Sequence, residues 1–212
     1  PKLKTGTVEV QTEKLEVVSK AEELPIDLGK EELDLELPTL LDYRSLTLRH
    51  PKVKAIFKVQ EVIIDAFRRA LQAKDFVEFQ APSIISSAPE GGAEIFEVKY
   101  FEHKTYLAQS PQLYKSLLVS DFERVFSVNK VFRAEPSVTT RHLTEFTGWD
   151  FEISYIENHY SVMDAEEGMI VAGFKQLLEV FPDLGITVPT QPFPRMTIVD
   201  AKKILKEAGI VS

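Results

Sequence analysis

The sequence predicts an α+β fold, an antiparallel sheet flanked by helices, and three observations predict it. Two pairs of alternating segments, 95–98 with 104–108 and 123–132 with 144–153, lie close enough in the chain to return as hairpins. Two longer stretches, 51–73 and 161–180, repeat apolar residues at helical spacing. Hydrophobic residues make up 44% of the 212, enough for a sizeable core.

Composition sets the outer bounds. A net charge of -8 argues against a broad basic coat for nucleic acid, though a local patch stays open. The absence of cysteine removes disulfides and thiolate metal sites. No apolar run reaches membrane-spanning length and no secretory signal stands at the start, so a cytoplasmic protein without membrane attachment is expected. The chain opens at Pro1 without an initiating Met, which suggests a piece of something longer.

In chain order, Val8, Val10, Leu15 and Val17 alternate with polar residues and predict a half-buried strand within 5–20. Residues 21–38 are acidic and punctuated by proline, and predict a linker lying against a surface. Pro51 suits the first turn of the helix 51–73, whose stripe runs through Val53, Ile56, Val59, Ile63 and Phe67. Residues 75–82 predict a short strand closed by Pro82, and 83–92 a polar loop holding Pro89-Glu90-Gly91-Gly92. A hairpin follows with its turn near Glu102-His103, then a helix opened by Pro111 and running to about Val119. Ser161 is the expected cap of the helix 161–180, with Asp164, Glu166 and Glu167 in its early turns. Residues 195–198 read as a short strand, and Thr197 or Asp200 starts a last helix stopped by Gly209. His50, His103 and His159 have no supporting constellation and read as surface or satisfied histidines.

Chemistry concentrates in one stretch, Phe132-Arg133-Ala134-Glu135 followed by Arg141-His142-Leu143-Thr144-Glu145-Phe146. Arg133 offers a planar fork for a carboxylate and a phosphate together. Glu135 and Glu145 suit a metal or an amine, and Phe146 a stacked base. By itself the stretch also suits an ordinary solvated hairpin. Period two on the return strand places Phe146, Gly148, Asp150 and Glu152 on one face, a floor for a polar pocket, and Trp149, Phe151 and Ile153 on the other, the core candidates.

Four blocks in this order resemble the class II aminoacyl-tRNA synthetases, subclass IIb, and among them the aspartyl enzymes of archaeal and eukaryotic type. They are the helix and strand ending Phe79-Gln80-Ala81-Pro82, the segment Glu90-Gly91-Gly92-Ala93, the segment Gln109-Ser110-Pro111-Gln112-Leu113-Tyr114-Lys115, and the hairpin just described. The resemblance implies ATP-dependent attachment of L-aspartate to tRNA(Asp) through an aspartyl-adenylate, with Mg²⁺ as the metal. It implies that Arg133 bridges the aspartate carboxylate and the α-phosphate. Glu135, Arg141, His142 and Leu143 would contact ATP, and Phe146 would stack on adenine. Glu90, Gln112, Lys115 and Asp150 would hold aspartate, with Asp150 orienting Lys115. Ser137 and Thr139 are the candidates for the tRNA acceptor end. A homodimer through residues 51–82 is implied as well.

The resemblance divides the chain into the end of an OB-fold anticodon domain at 1–20, a hinge at 21–38 and the N-terminal part of the class II catalytic core at 39–212. The third class motif and the acidic Mg²⁺ ligand would lie beyond Ser212. No metal ligand is therefore expected within the chain, and the 212 residues alone are expected to be inactive or poorly folded. Two other readings stay open. One is an asparaginyl-type synthetase, against which Lys115 and Asp150-Phe151-Glu152 argue, or a non-discriminating paralogue, a choice that rests on anticodon contacts in the OB-fold. The other is a non-catalytic binding module on the same fold, which predicts loss of Arg133, Glu90 or Lys115, all of which stand.

Overall fold

The computed structural model of the protein describes residues 6–87, 94–137, 139 and 142–210. The chain forms two compact units, Pro1–Phe57 and Lys58–Ser212.

In the first unit, described residues up to Glu36 form neither helix nor strand. The strand expected within 5–20 is absent. Val8, Val10, Leu15 and Val17 are 74%, 84%, 83% and 66% exposed. Alternation needs a neighbouring strand and an apolar face to bury against, and among the described residues none pairs here. The linker does lie against structure, as expected. Ile26 is buried, His50 Nε2 donates to the Lys30 carbonyl at 3.0 Å, and Lys52 pairs with Glu32. Two short helices follow, α1 (Leu37–Asp42) and α2 (Arg44–Thr47). They are pinned together by Thr47, whose buried hydroxyl donates to the Leu40 carbonyl at 2.9 Å. The long helix α3 (Pro51–Gln72) then forms as its apolar spacing predicts.

The second unit contains two three-stranded sheets. The first orders β1 (Val77–Glu78), β5 (Arg124–Phe132) and β6 (Glu145–Ile153), with β1 parallel to β5 and β5 antiparallel to β6. The strand expected over 75–82 shortens to β1 because Asp75 turns at φ 63° and Pro82 has no N–H to donate. The second sheet orders β2 (Ile84–Ile85), β4 (His103–Leu107) and β3 (Glu97–Tyr100), all antiparallel. Here β2 occupies part of what reads as a polar loop. The β3–β4 turn falls at Phe101, φ 52°, one residue before its expected place. Helix α4 (Gln112–Phe122) runs one turn past its expected end.

Helix α5 (Tyr160–Val180) begins differently from the expectation. Ser161 lies inside it, and the orphan N–H of Tyr160 is taken by Asn158 Oδ1 at 3.0 Å. No strand forms at 195–198. Arg195 instead pairs with Asp164 and with the buried Glu167 on α5, and Thr197 caps α6 (Ile198–Glu207) by accepting from Asp200 N at 3.1 Å. Gly209, φ 73°, follows that helix as expected.

The core lies between the first sheet and α3 and α5. Leu71, Phe76, Phe126, Ala165 and Met169 form its buried centre, and Phe67, Val128, Trp149, Phe151 and Ile153 pack on them. Trp149 stacks on Phe126 and meets Phe67 edge-on at 5.6 Å. Arg68 clamps α3 to β1 through a two-pronged pair with Glu78, at 2.8 and 3.2 Å, and that hydrogen bond raises the guanidinium pKa further. Helices α3 and α5 touch closely at Gly173, where an added Cβ would stand 2.3 Å from Phe67 Cε1 and 3.3 Å from Ile63 Cγ1. Gly173→Ala is therefore expected to destabilise the fold by about 1–3 kcal/mol through overpacking, read as a lowered midpoint in chemical denaturation. An unchanged midpoint would mean that Phe67 and Trp149 repack at no cost.

Candidate functional site

The two faces of the β5–β6 pair have different chemistry. Register opposes Val125 to Glu152, Ser127 to Asp150, Asn129 to Gly148 and Val131 to Phe146. These eight residues share the face opposite the core. Trp149, Phe151 and Ile153 turn to the core, as their alternation predicts.

Helix α4 contacts both strands, and Ser154 Oγ donates to its Val119 carbonyl at 3.2 Å. That placement buries Lys115, which is only 6% exposed. Its ammonium stands 3.2 Å from Asp150 Oδ1 and 3.5 Å from Glu152 Oε2. A buried lysine requires such partners, because an unpaired ammonium away from water is costly. Gln112, one turn earlier, donates instead to Ser116 Oγ at 3.2 Å.

At the other end of the pair, Arg133, Glu135, His142, Leu143 and Phe146 line one cavity of about 410 Å³. All five are residues that the sequence singles out for a nucleotide. Arg133 N donates to the Thr144 carbonyl at 3.0 Å and Ala134 N to the Glu94 carbonyl at 2.7 Å, which fixes the backbone beside the cavity. The Arg133 guanidinium lies over the Phe146 ring, 5.7 Å from its centroid. The Glu135 carboxylate is 3.8 Å from both Arg133 Nη1 and His142 Nε2. Thr139 and His142 bridge the hairpin loop, sharing a hydrogen bond of 2.7 Å between Oγ1 and Nδ1. Ser137 and Thr139 are exposed on that loop. Glu90 and Arg141 lie outside the described residues.

The arrangement offers a flat aromatic face, a half-exposed guanidinium and an imidazole at one end, and a buried ammonium between carboxylates at the other. That chemistry suits a nucleotide beside a small zwitterion. Among the described residues no three or more His, Asp or Glu stand together as a candidate metal site. A larger recess of about 570 Å³ lies at the far end of β5–β6, lined among others by Lys74, Arg124, Tyr155 and Asp164. Both cations there donate to backbone carbonyls, Lys74 to Asp164 and Arg124 to Lys74, which marks them as packing groups.

Sequence reasoning about the site passed over Ser127 and Asn129. Ser127 is fully buried, accepts from Asn129 Nδ2 at 2.7 Å and lies directly across the strand pair from Asp150. The signal is their alternation with Phe126 and Val128, which puts both on the face opposite the core.

A family profile described as tRNA synthetases class II (D, K and N) matches residues 36–209. An aspartate–tRNA(Asp/Asn) ligase of Deinococcus radiodurans is 42% identical over 209 residues, 95% of this chain and 48% of its own length. The cytoplasmic aspartate–tRNA ligase of Homo sapiens is 42% identical over 96% of this chain and 45% of its own. Among solved structures, an asparaginyl-tRNA synthetase of Pyrococcus horikoshii complexed with asparaginyl-adenylate superposes with a TM-score of 0.84 at 37% identity, covering 96% of this chain and 48% of that one. The chain thus spans about half the length of the curated relatives it matches. The profile match spans most of the chain, which therefore belongs to the class II tRNA synthetases of the D, K and N group.

Proposed function

We propose that the protein carrying this chain attaches L-aspartate to tRNA(Asp) at the expense of ATP, through an aspartyl-adenylate. The observation that carries this reading is Lys115, buried at 6% exposure between Asp150 and Glu152 on the same strand face as Phe146. In the reaction, an oxygen of the aspartate α-carboxylate attacks the α-phosphorus of ATP and pyrophosphate leaves. A hydroxyl of the tRNA terminal adenosine then takes the acyl group and AMP leaves.

Arg133 would hold carboxylate and α-phosphate within attack distance and neutralise charge as it develops. Phe146 would carry the adenine, with Glu135, Arg141, His142 and Leu143 around the nucleotide. Lys115 would meet the substrate's side-chain carboxylate, with Asp150 orienting it, while Glu90 and Gln112 complete the amino-acid side. Ser137 and Thr139 would face the acceptor end.

The same reading includes the domain plan of OB-fold end, hinge and catalytic core, a homodimer through 51–82 and a cytoplasmic location. Exposed Ile56, Phe57 and Val77 leave apolar surface for the dimer. The human relative's cytoplasmic name supports the location, and no described helix is long and apolar enough to cross a membrane.

A second reading, use of asparagine or charging of tRNA(Asn), is favoured by the asparaginyl neighbour and by the Asp/Asn name of the Deinococcus relative. Pyrophosphate exchange with each amino acid in turn separates the two; exchange with asparagine alone would replace the first reading. In the complete protein, Arg133→Ala is expected to lower aspartate-dependent exchange by about 10²–10³-fold, the usual cost of one transition-state donor. Its circular dichroism should stay unchanged, since the side chain is half exposed. Undiminished exchange would refute the bridging role. Lys115→Met is expected to raise the KM for aspartate roughly 10²-fold, the scale of breaking a buried charge pair, with the KM for ATP within about twofold. Equal rises in both would count against Lys115 as the aspartate contact.

A further inference from the structure

Gly148 stands in the middle of β6, where glycine ordinarily weakens a strand and contributes no packing. Its backbone does not require glycine, because it is not among the residues with left-handed φ. The reason for it is therefore spatial. An ideal Cβ at 148 would meet Asp150 Oδ2 at 3.1 Å and both Val131 methyls at 3.8 Å. The second distance is ordinary contact. The first is tight enough that the carboxylate would have to give way.

Little room exists for that movement. Asp150 Oδ1 holds Lys115 at 3.2 Å, already at the long end for a hydrogen bond. A shift of a few tenths of an ångström would leave the buried ammonium with Glu152 at 3.5 Å as its remaining carboxylate among the described residues. Gly148 also lies between Phe146 and Asp150 on the site face, opposite Asn129. It thus separates the Arg133–Phe146 cavity from the Lys115 pair without filling the floor between them.

We propose that Gly148 is a positioning residue. By carrying no side chain, it lets the Asp150 carboxylate stand against Lys115 and leaves the floor open where the amino acid and the nucleotide would meet. This rests on the synthetase reading above. It acts through Asp150 and so concerns the amino-acid side of the site.

The test uses the complete protein and aspartate-dependent ATP–pyrophosphate exchange. Gly148→Ala is expected to raise the KM for aspartate about tenfold while the KM for ATP stays within twofold, and Gly148→Val to raise it further. Placed on Asp150→Ala, the Gly148→Ala change should add less than twofold, because its target is already gone. Thermal unfolding of each variant reports folding separately. Equal effects on both KM values, full additivity with Asp150→Ala, or no effect of either substitution would overturn the proposal. Arg133→Ala, run alongside, separates the two levels. If it abolishes exchange while both Gly148 variants behave as the unaltered protein, only the role of Gly148 falls. If the unaltered protein gives no aspartate-dependent exchange, the synthetase reading and this proposal fall together.

Discussion

Everything about the site depends on the register of one antiparallel pair, β5 with β6. Because side chains alternate strictly, a slip of one residue would exchange the two faces of β6 relative to its neighbours. Trp149 and Phe151 would then face α4, and Asp150 and Glu152 would enter the core. The register is held from the core side. Phe126 and Trp149 stack, Phe67 and Phe76 meet β6 edge-on, and α3 and α5 close over them with a glycine at the contact. The polar face is thereby ordered by packing behind it. Asp150 and Glu152 thereby meet Lys115 from fixed positions on that face.

The arginines of the second unit illustrate the difference between a structural and an available cation. Arg68 is bound to Glu78 by two hydrogen bonds and serves to fasten α3 to β1. Arg195 is bound to Glu167 and Asp164, and anchors the segment before α6 to α5. Among the described residues Arg133 has the 3.8 Å approach of Glu135 and the face of Phe146. Its backbone is fixed on both sides while its fork stays half exposed. Substrate anions can displace a contact of that length at small cost, whereas opening the Arg68 pair would strip a half-buried carboxylate of its partner.

Much of this was legible before any coordinates, and the exceptions share a cause. Helices α3 and α5 and strands β5 and β6 are long, with a clear period that packing against the core reinforces. The division of β6 into a Trp149–Phe151–Ile153 face and an Asp150–Glu152 face followed from alternation alone. The strand within 5–20 had the same alternation but no described partner, so its pattern had no physical consequence. Strand β2 is the opposite case. Ile84 and Ile85 are too few to show a period, and they pair only because β4 offers an edge. Capping of α5 went to Asn158 and not Ser161 because the chain turns earlier than the apolar spacing indicates. Ser127 and Asn129 joined the polar face only once the register set them opposite Asp150 and Gly148.

The charge balance around Lys115 bears on how the proposed site would select its amino acid. One ammonium faces two carboxylates, so the cluster carries a formal negative charge before any substrate arrives. An ammonium has three donors; one goes to Asp150 and Glu152 stands at 3.5 Å as an ion-pair partner, so a donor remains for a substrate oxygen. An asparagine amide oxygen can take that donor without adding charge. An aspartate carboxylate can take it too, with stronger attraction to Lys115 but repulsion from its partners. Selection is the difference between those energies, and it changes sign with the placement of a single further cation or the turning away of Glu152. Under the proposed reading, the buried lysine suits a site for a polar four-carbon amino acid. Its choice of aspartate depends on how far Asp150 is held to one side, which is the position that the missing side chain of Gly148 controls.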